Sequence, residues 1–451
     1  MSGRYLNRRE FLKVSALLGG TAILAACAPK ATPTSPPKKE EAAPTVAKAT
    51  APPKVEEAAG ELEIFSWWTS GGEVEALNGL FRVYGERHPQ VEIINAALAG
   101  GSGAAGAGMK AVLKTRMLGG EPPDSFQVHL GHELIDTHVV ADRMEPLDAL
   151  YEGEGWVDVF PPDVVQMASW QGKPWSVPVN IHRSNCFFYN LKMFENVSKD
   201  PPATWDEFFE VGEAMKAKDQ ALLGIAGSGG AFSGHVFETM LMATFDPDSY
   251  RGLFTGKTSW EDERVTEALE IFKRALDYSN PDYASVGWGD INDLMVSGRV
   301  AVIIQGDWTP GVLWSKDFHD FGWVASPGTT GIYGTLSDSF GLPKGAPNRE
   351  NAINWLRVVG SKEGQDAFNP AKGSIPARTD PDLSLYTEYH KDAMADFAKD
   401  ELVPSVAHGT AAKESFMTDY VNVFVQFIAN KDVDVAQAEL VEAAEDAEFS
   451  E

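Results

Sequence analysis

Three stretches of the sequence hold residue types that could do chemistry. "GGSGAAGAG" (100–108) contains Gly101-x-Gly103-x-x-Gly106, with Glu121 and Asp124 downstream. On paper that matches a dinucleotide fingerprint, in which glycines let the backbone approach a pyrophosphate. The run is almost entirely Gly and Ala and follows the second strand pattern rather than the first, which weakens the match. "HELIDTH" (132–138) looks like a zinc helix, but its histidines are six residues apart. Two histidines must be about four apart to share a helix face around one metal. Glu73 and Asp338 could form a carboxylate pair, yet nothing in the sequence marks one of them as an acid. No GxSxG elbow and no P-loop occurs.

What remains is a supply of indoles and planar polar side chains. "FSWWTS" (65–70) puts Trp67 and Trp68 where a short apolar run ends, and "VAVIIQGDW" (300–308) ends on Asp307 and Trp308. Neighbouring side chains of a strand point to opposite faces, so at most one of Trp67 and Trp68 can join a core behind the sheet. Gln127 and His129 close the third apolar run. Flat rings beside flat hydrogen-bonding groups suit a pyranose, with apolar C–H faces and a rim of hydroxyls. Magnitude sets the architecture. Micromolar affinity is about −8 kcal/mol. Over the roughly dozen heavy atoms of a hexose that is about −0.7 kcal/mol per atom, a high ligand efficiency. Nearly every hydroxyl must be paired away from water, so two domains should close over the ring.

The elements that would position these groups alternate. Leu62–Phe65, Val91–Ile94 and Ser125–Val128 read as strands; Ala76, Leu80, Phe81 and Tyr84 recur at helical spacing before Pro89. A second helix runs through Met109, Val112, Leu113 and Met117. Such alternation predicts a mostly parallel sheet covered on both faces, with ligands beyond the carboxyl ends of its strands. In the second half, Thr204-Trp205-Asp206-Glu207 is a capping box, Val265–Tyr278 an amphipathic helix, 300–308 a buried strand, and Phe416–Ala429 one of the closing helices.

The N-terminus reads Arg8-Arg9-Glu10-Phe11-Leu12-Lys13, an apolar run from Val14 to Ala26, then Cys27. The run is shorter than the roughly 20 residues that span a bilayer and has the pattern of a secretory signal, here twin-arginine-like. Leu24-Ala25-Ala26-Cys27 resembles a lipobox, which predicts a lipidated Cys27. Residues 28–60, rich in Pro, Ala, Lys, Glu and Thr, read as a flexible tether. The 451 residues carry a net charge of −27. Arg4, Arg8, Arg9 and Lys13 against Glu10 make the signal segment positive, so the rest is more acidic still. That field repels nucleic acid and anionic surfaces. Besides Cys27 only Cys186 is present, so no disulfide framework is expected.

The stretches "LEIFSWW", "AVLKTRMLGGEPPDSFQVH", "WSVPVNIHRSN", "ATWDEF" and "LSDSFGLPKGAPNRENAINWLRVVGSKEGQDAFNPAKGSIPAR" carry a resemblance along nearly all of 61–430. The sequence resembles the carbohydrate solute-binding proteins of ABC transporters, and within them glucose/galactose-binding members. The resemblance implies an α/β, two-lobed periplasmic-binding-protein-like fold of type II, with discontinuous lobes joined by hinge crossings. It implies a signal peptide over 1–26 and the lipidated Cys27 with its linker over 27–60. An N-terminal lobe would span 61–178 with 328–370, and a C-terminal lobe 181–325 with 373–451. Crossings would fall near Pro178-Val179-Asn180, Ser326-Pro327-Gly328 and Asn369-Pro370-Ala371.

Carried over by matching stretches, the sugar contacts fall on Trp67, Trp68, Glu73, Gln127, His129, His182, Trp288, Trp308, Asp338, Lys372 and His408. Trp67 or Trp68 would sandwich the ring with Trp308 or Trp288, while the carboxylates and Lys372 pair neighbouring hydroxyls. Stretches 69–73, 227–237 and 309–322 depart from the resembled pattern and would set the pocket's size. The implied protein is a monomeric receptor without enzymatic activity or cofactor. It would sit lipid-anchored outside the cytoplasmic membrane and deliver a monosaccharide to a permease with a cytoplasmic ATPase. Two rival readings stand beside it: an exported NAD(P)-dependent sugar oxidoreductase using the Gly101–Gly106 loop, and a receptor for an oligosaccharide.

Overall fold

A computed structural model describes residues 59–97 and 107–449. The signal-like segment, Cys27, the tether to residue 58 and the glycine run at 101–106 lie outside the described residues. Strand Gly60–Phe65 buries Leu62 and Ile64 and leaves Glu61 in water. It pairs in parallel with Val91–Asn95 on one side and Ser125–His129 on the other. The sheet continues with Asp338–Gly341 and then Ser176–Pro178, and both of these junctions are antiparallel. The expected mostly parallel sheet is therefore mixed. Asp338–Gly341 follows directly on strand Ile332–Leu336, which lies in another sheet, and so it enters against the direction of the strands fed by local helices.

The second lobe's sheet runs Phe321–Ala325, Cys186–Asn190, Val300–Gln305, Ala221–Gly224. All six residues of Val300–Gln305 are buried, as a continuous apolar run at the centre of a sheet should be. Between the lobes a third sheet joins Glu401–Pro404, Ile332–Leu336 and His182–Arg183. Ile181 bridges Ile375 beside it. This is a two-lobed α/β fold of the type II kind.

Local signals account for the helix ends. Helix Gly71–Arg87 stops at His88, before Pro89. Helix Trp205–Lys216 opens on a true capping box, with Glu207 N donating to Thr204 Oγ1 at 3.2 Å and Thr204 N to Glu207 Oε2 at 3.2 Å. Each lobe has its own core. Phe126, Phe340, Trp355 and Phe368 anchor the first; Phe208, Phe237, Phe272 and Phe424 anchor the second. A smaller cluster with Phe188, Phe232, Ile303 and Trp308 covers the other face of the second sheet. Among the described residues no helix is long and apolar enough to cross a membrane.

Helix Ala231–Thr244 is tied to the segments between the lobes by a buried carboxyl. Glu238 accepts from Ser184 Oγ (2.9 Å), Ser405 Oγ (2.9 Å) and Ala407 N (2.6 Å). Burial raises its pKa to about 7 despite those donors. A raised folded-state value gives stability that is fully present below the unfolded value of about 4.5 and is lost as pH rises through about 7. Glu238→Gln keeps an acceptor without the charge. The loss of wild-type stability between pH 5 and 7.5, up to about 3 kcal/mol, is expected to flatten in this variant in chemical denaturation. Parallel pH profiles would contradict this account.

Candidate functional site

The seam between the lobes buries charges that are matched to one another. Asp338, at the start of its strand, is 2% exposed. Its Oδ1 accepts from Gln127 Nε2 at 2.9 Å and its Oδ2 from Asn180 Nδ2 at 2.9 Å. His182 Nε2 lies 3.1 Å from the same Oδ2. The other ring nitrogen of His182 meets Asp307, a residue of the opposite lobe at the end of Val300–Gln305. Burial alone would lower the His182 pKa, but Asp307 and Asp338 outweigh it and hold it above the ordinary value. The ring sits between two carboxylates, and Asn180 Nδ2 also lies 2.9 Å from its Nε2. Burial would likewise raise Asp338, and His182, His129 and Lys372 together hold it far below the usual carboxylate range.

Lys372 ends helix Lys362–Lys372, and its Nζ donates to Glu73 Oε1 at 2.8 Å. The same ammonium lies 5.7 Å from the ring of Trp68 and 5.8 Å from that of Trp308. Rings follow one another along the seam. Trp67 tilts against His129 at 5.0 Å, His129 meets His408 edge-on at 5.7 Å, and His408 meets Trp308 at 5.0 Å. Trp308 also meets His182 at 5.4 Å. His129 Nδ1 pairs with Glu133 Oε2 at 2.8 Å, which also holds Lys110 at 2.7 Å. Burial raises the Glu133 pKa, and Lys110 and His129 outweigh it to bring it down to about 2.

The histidine pair fixes a tautomer. His235 Nε2 faces the carbonyl of Ser184 at 2.9 Å and must donate, so its Nδ1 accepts from His408 Nε2 at 2.9 Å. His408 is thereby left with Nδ1 as an acceptor that has no partner among the described residues. Burial, with His235 beside it, pushes its pKa well down, so the ring is neutral.

Trp67, Glu73, Gln127, His129, His182, Trp308, Asp338, Lys372 and His408 thus meet in one cluster. Two indoles are placed differently from the sandwich expected of them. Trp68 is 1% exposed, and its ring packs on Phe340 at 5.8 Å and Phe368 at 4.9 Å within the first core. Only its Nε1–H, buried without a partner among the described residues, stays uncommitted. Trp288 stacks on Phe232 at 5.9 Å and lines a separate groove of about 600 Å³ with Ser70, Glu75 and Lys316. Glu73, Lys372 and Asp338, expected to pair hydroxyls, are here paired within the protein. Sequence reasoning missed the roles of Asn180, His235, Asp307 and Glu133. Asp307 sits beside Trp308 at a strand end and Glu133 lies four residues after His129, both visible signals; Asn180 and His235 pair with Asp338 and His408 across more than 150 residues with no local mark. In "HELIDTH", His132 pairs with Asp136 at 2.7 Å, and His138 packs on Phe126.

A family model described as bacterial extracellular solute-binding protein matches residues 68–366. The chain belongs to this family of bacterial extracellular solute-binding proteins. One relative is an uncharacterised ABC transporter extracellular-binding protein of Pyrococcus horikoshii, 32% identical over 98% of this chain and 96% of its own. The xylose/arabinose-binding protein XacG of Haloferax volcanii is 28% identical over 79% of this chain and 78% of its own. Among solved structures, the solute receptor AcbH, with an exclusive preference for β-D-galactopyranose, superposes with a TM-score of 0.76 at 17% identity. It covers 86% of this chain and 98% of its own. A chitin oligosaccharide binding protein gives 0.75 at 19% identity, covering 86% of this chain and 98% of its own. Solute-binding proteins capture and deliver; this chain is not an enzyme, and the oxidoreductase reading falls with that.

The raised His182 value has a consequence in pH. Its stabilisation is present below about pH 6.5, the ordinary imidazole value, and is lost as pH climbs through the higher folded-state value. The melting-temperature gap between wild type and His182→Gln is expected to narrow as pH rises above about 6.5. A gap that stays constant would mean the ring is not charged.

Proposed function

We propose that this chain is the sugar receptor of an ABC importer and that its lobes close on one pyranose ring of glucose or galactose configuration. The observation that carries the reading is the meeting of nine side chains from both lobes in one buried cluster of indoles, imidazoles and planar donors and acceptors. Trp308 supplies an indole for the C–H face, and Trp67, half-buried on the other lobe, supplies a second. Lys372 has donors beyond the one given to Glu73, and among the described residues His408 Nδ1 and the Trp68 Nε1–H are one acceptor and one donor without partners. Hydroxyls entering the cluster would exchange with existing pairs rather than leave charges bare. The xylose/arabinose-binding relative and the galactopyranose receptor support a sugar of one ring, and a chitin oligosaccharide binding protein of the same fold stands beside them.

In this reading the protein is exported, held at the outer face of the membrane by lipid on Cys27, and works as a monomer. It hands its sugar to a permease with a cytoplasmic ATPase. Glu73, Gln127, His129, His182 and Asp338 would orient the hydroxyls, with Trp288 supporting Trp308 through Phe232.

Calorimetry of the purified chain with glucose, galactose, mannose and xylose tests the reading, and heat is expected with at least one of them. Trp308→Ala should weaken that binding by about 1–3 kcal/mol, and Trp288→Ala by less. Absence of heat with every sugar, confirmed by an unshifted melting temperature, would overturn it.

A further inference from the structure

Beside the cluster, between the same two lobes, lies a groove of about 290 Å³. We propose that this groove takes an aromatic ring carried by the sugar, so that the ligand of the site is an aryl glycoside: a pyranose in the cleft with an O-linked aromatic aglycone beside it. The inference rests on the sugar-receptor reading and names the ligand class of that site.

The groove adjoins the cleft through His408 and Lys110, which line it. His408 belongs to the ring sequence between His129 and Trp308. The Lys110 ammonium lies 5.2 Å from the Trp67 ring. A substituent on the bound pyranose that passes His408 therefore arrives in this space. Its walls come from both lobes: Lys110 and Lys114 stand on helix Ala107–Gly119, and Met417 and Val421 on helix Glu414–Asn430. Closing the lobes on the sugar would bury the aglycone in the same step.

The lining is apolar where a hydroxylated guest would need partners. Ala231, Ala412, Met417 and Val421 form much of it. Its charged side chains are committed to one another: Glu133 holds Lys110 at 2.7 Å and His129 at 2.8 Å, and Lys114 reaches Glu414 at 3.5 Å. Thr418 Oγ1 donates to the Glu414 carbonyl of its own helix at 2.9 Å. A guest rich in hydroxyls would lose its water here without regaining the hydrogen bonds. An aromatic ring gains by the same exchange, because it removes apolar surface from water. The surroundings favour an aromatic over an alkyl group. The Lys110 cation, already beside one indole, can approach a second ring face. The Met417 thioether suits a ring edge, and His408 already meets its aromatic neighbours edge-on. Size agrees as well. An apolar cavity of about 150 Å³ holds benzene, so a groove of about 290 Å³ takes a phenyl ring with a small substituent.

The test is calorimetry with glucose and galactose, with their methyl and para-nitrophenyl glycosides in both anomers, and with maltose and cellobiose. It is run on the wild type, Val421→Asp and Met417→Gln. Both positions are half-buried in the groove lining and outside the cleft cluster. The expected result is one aryl glycoside bound about tenfold or more tighter than the methyl glycoside of the same sugar and anomer, and tighter than either disaccharide. Val421→Asp sets a carboxylate against the ring and should remove most of that advantage. Met417→Gln, close in volume, should reduce it about threefold. Free-sugar affinity should stay within about twofold in both variants, which also shows that they are folded. If free sugars bind and no aryl glycoside exceeds its methyl counterpart, the aglycone proposal is overturned while the sugar-receptor reading stands. The same holds if a disaccharide binds more tightly, or if the variants leave the aryl advantage unchanged. If no sugar or glycoside binds the wild type, both are overturned.

Discussion

Charges sealed away from water at the seam must be answered by charges or donors from the other lobe, and the rest of the site follows from that requirement. Asp338 from the first sheet and Asp307 from the end of the second lobe's central strand hold His182 between them. An unpaired carboxylate in such surroundings would cost several kcal/mol. Each lobe therefore presents groups that are comfortable only when matched. The same pairs fix geometry: Gln127, held by the Trp67 backbone N–H at 3.2 Å, can aim its amide at Asp338 only in one orientation.

A matched cluster of this kind suits recognition by exchange. Lys372 with Glu73, and Asp338 with its three donors, already satisfy one another. A polyhydroxylated ring in the proposed role would replace protein–protein bonds by protein–sugar bonds at nearly equal count. Net affinity would then come from the indole faces and from lobe closure rather than from the number of hydrogen bonds. The buried His235–His408 pair and the Glu238 clamp hold the same loop from behind, so His408 is positioned by the second lobe before any ligand arrives.

Much of the fold was legible in particular residues. The alternation in Leu62–Phe65, the apolar run 300–305, Pro89 after the first helix and the Thr204/Glu207 capping box each produced the element they signal. These are short-range effects, decided within a few residues. The gathering of aromatic and planar groups at strand ends was legible for the same reason, because strand ends are local features.

What the sequence by itself determined is the elements whose signals are local and the aromatic and planar character of their strand ends, with the two-lobed class implied by the resemblance. Only the tertiary structure decided which indole faces that cleft. Phe340 and Phe368, nearly three hundred residues away in the chain, close over Trp68 and leave Trp67 at the seam. It also decided that Asp338–Gly341 enters antiparallel and that Asp307 and Asn180 complete the pairing around His182 and Asp338. Those outcomes depend on contacts between segments far apart in the chain. Periodicity and capping carry no record of them, because burial and pairing energies act on neighbours in space.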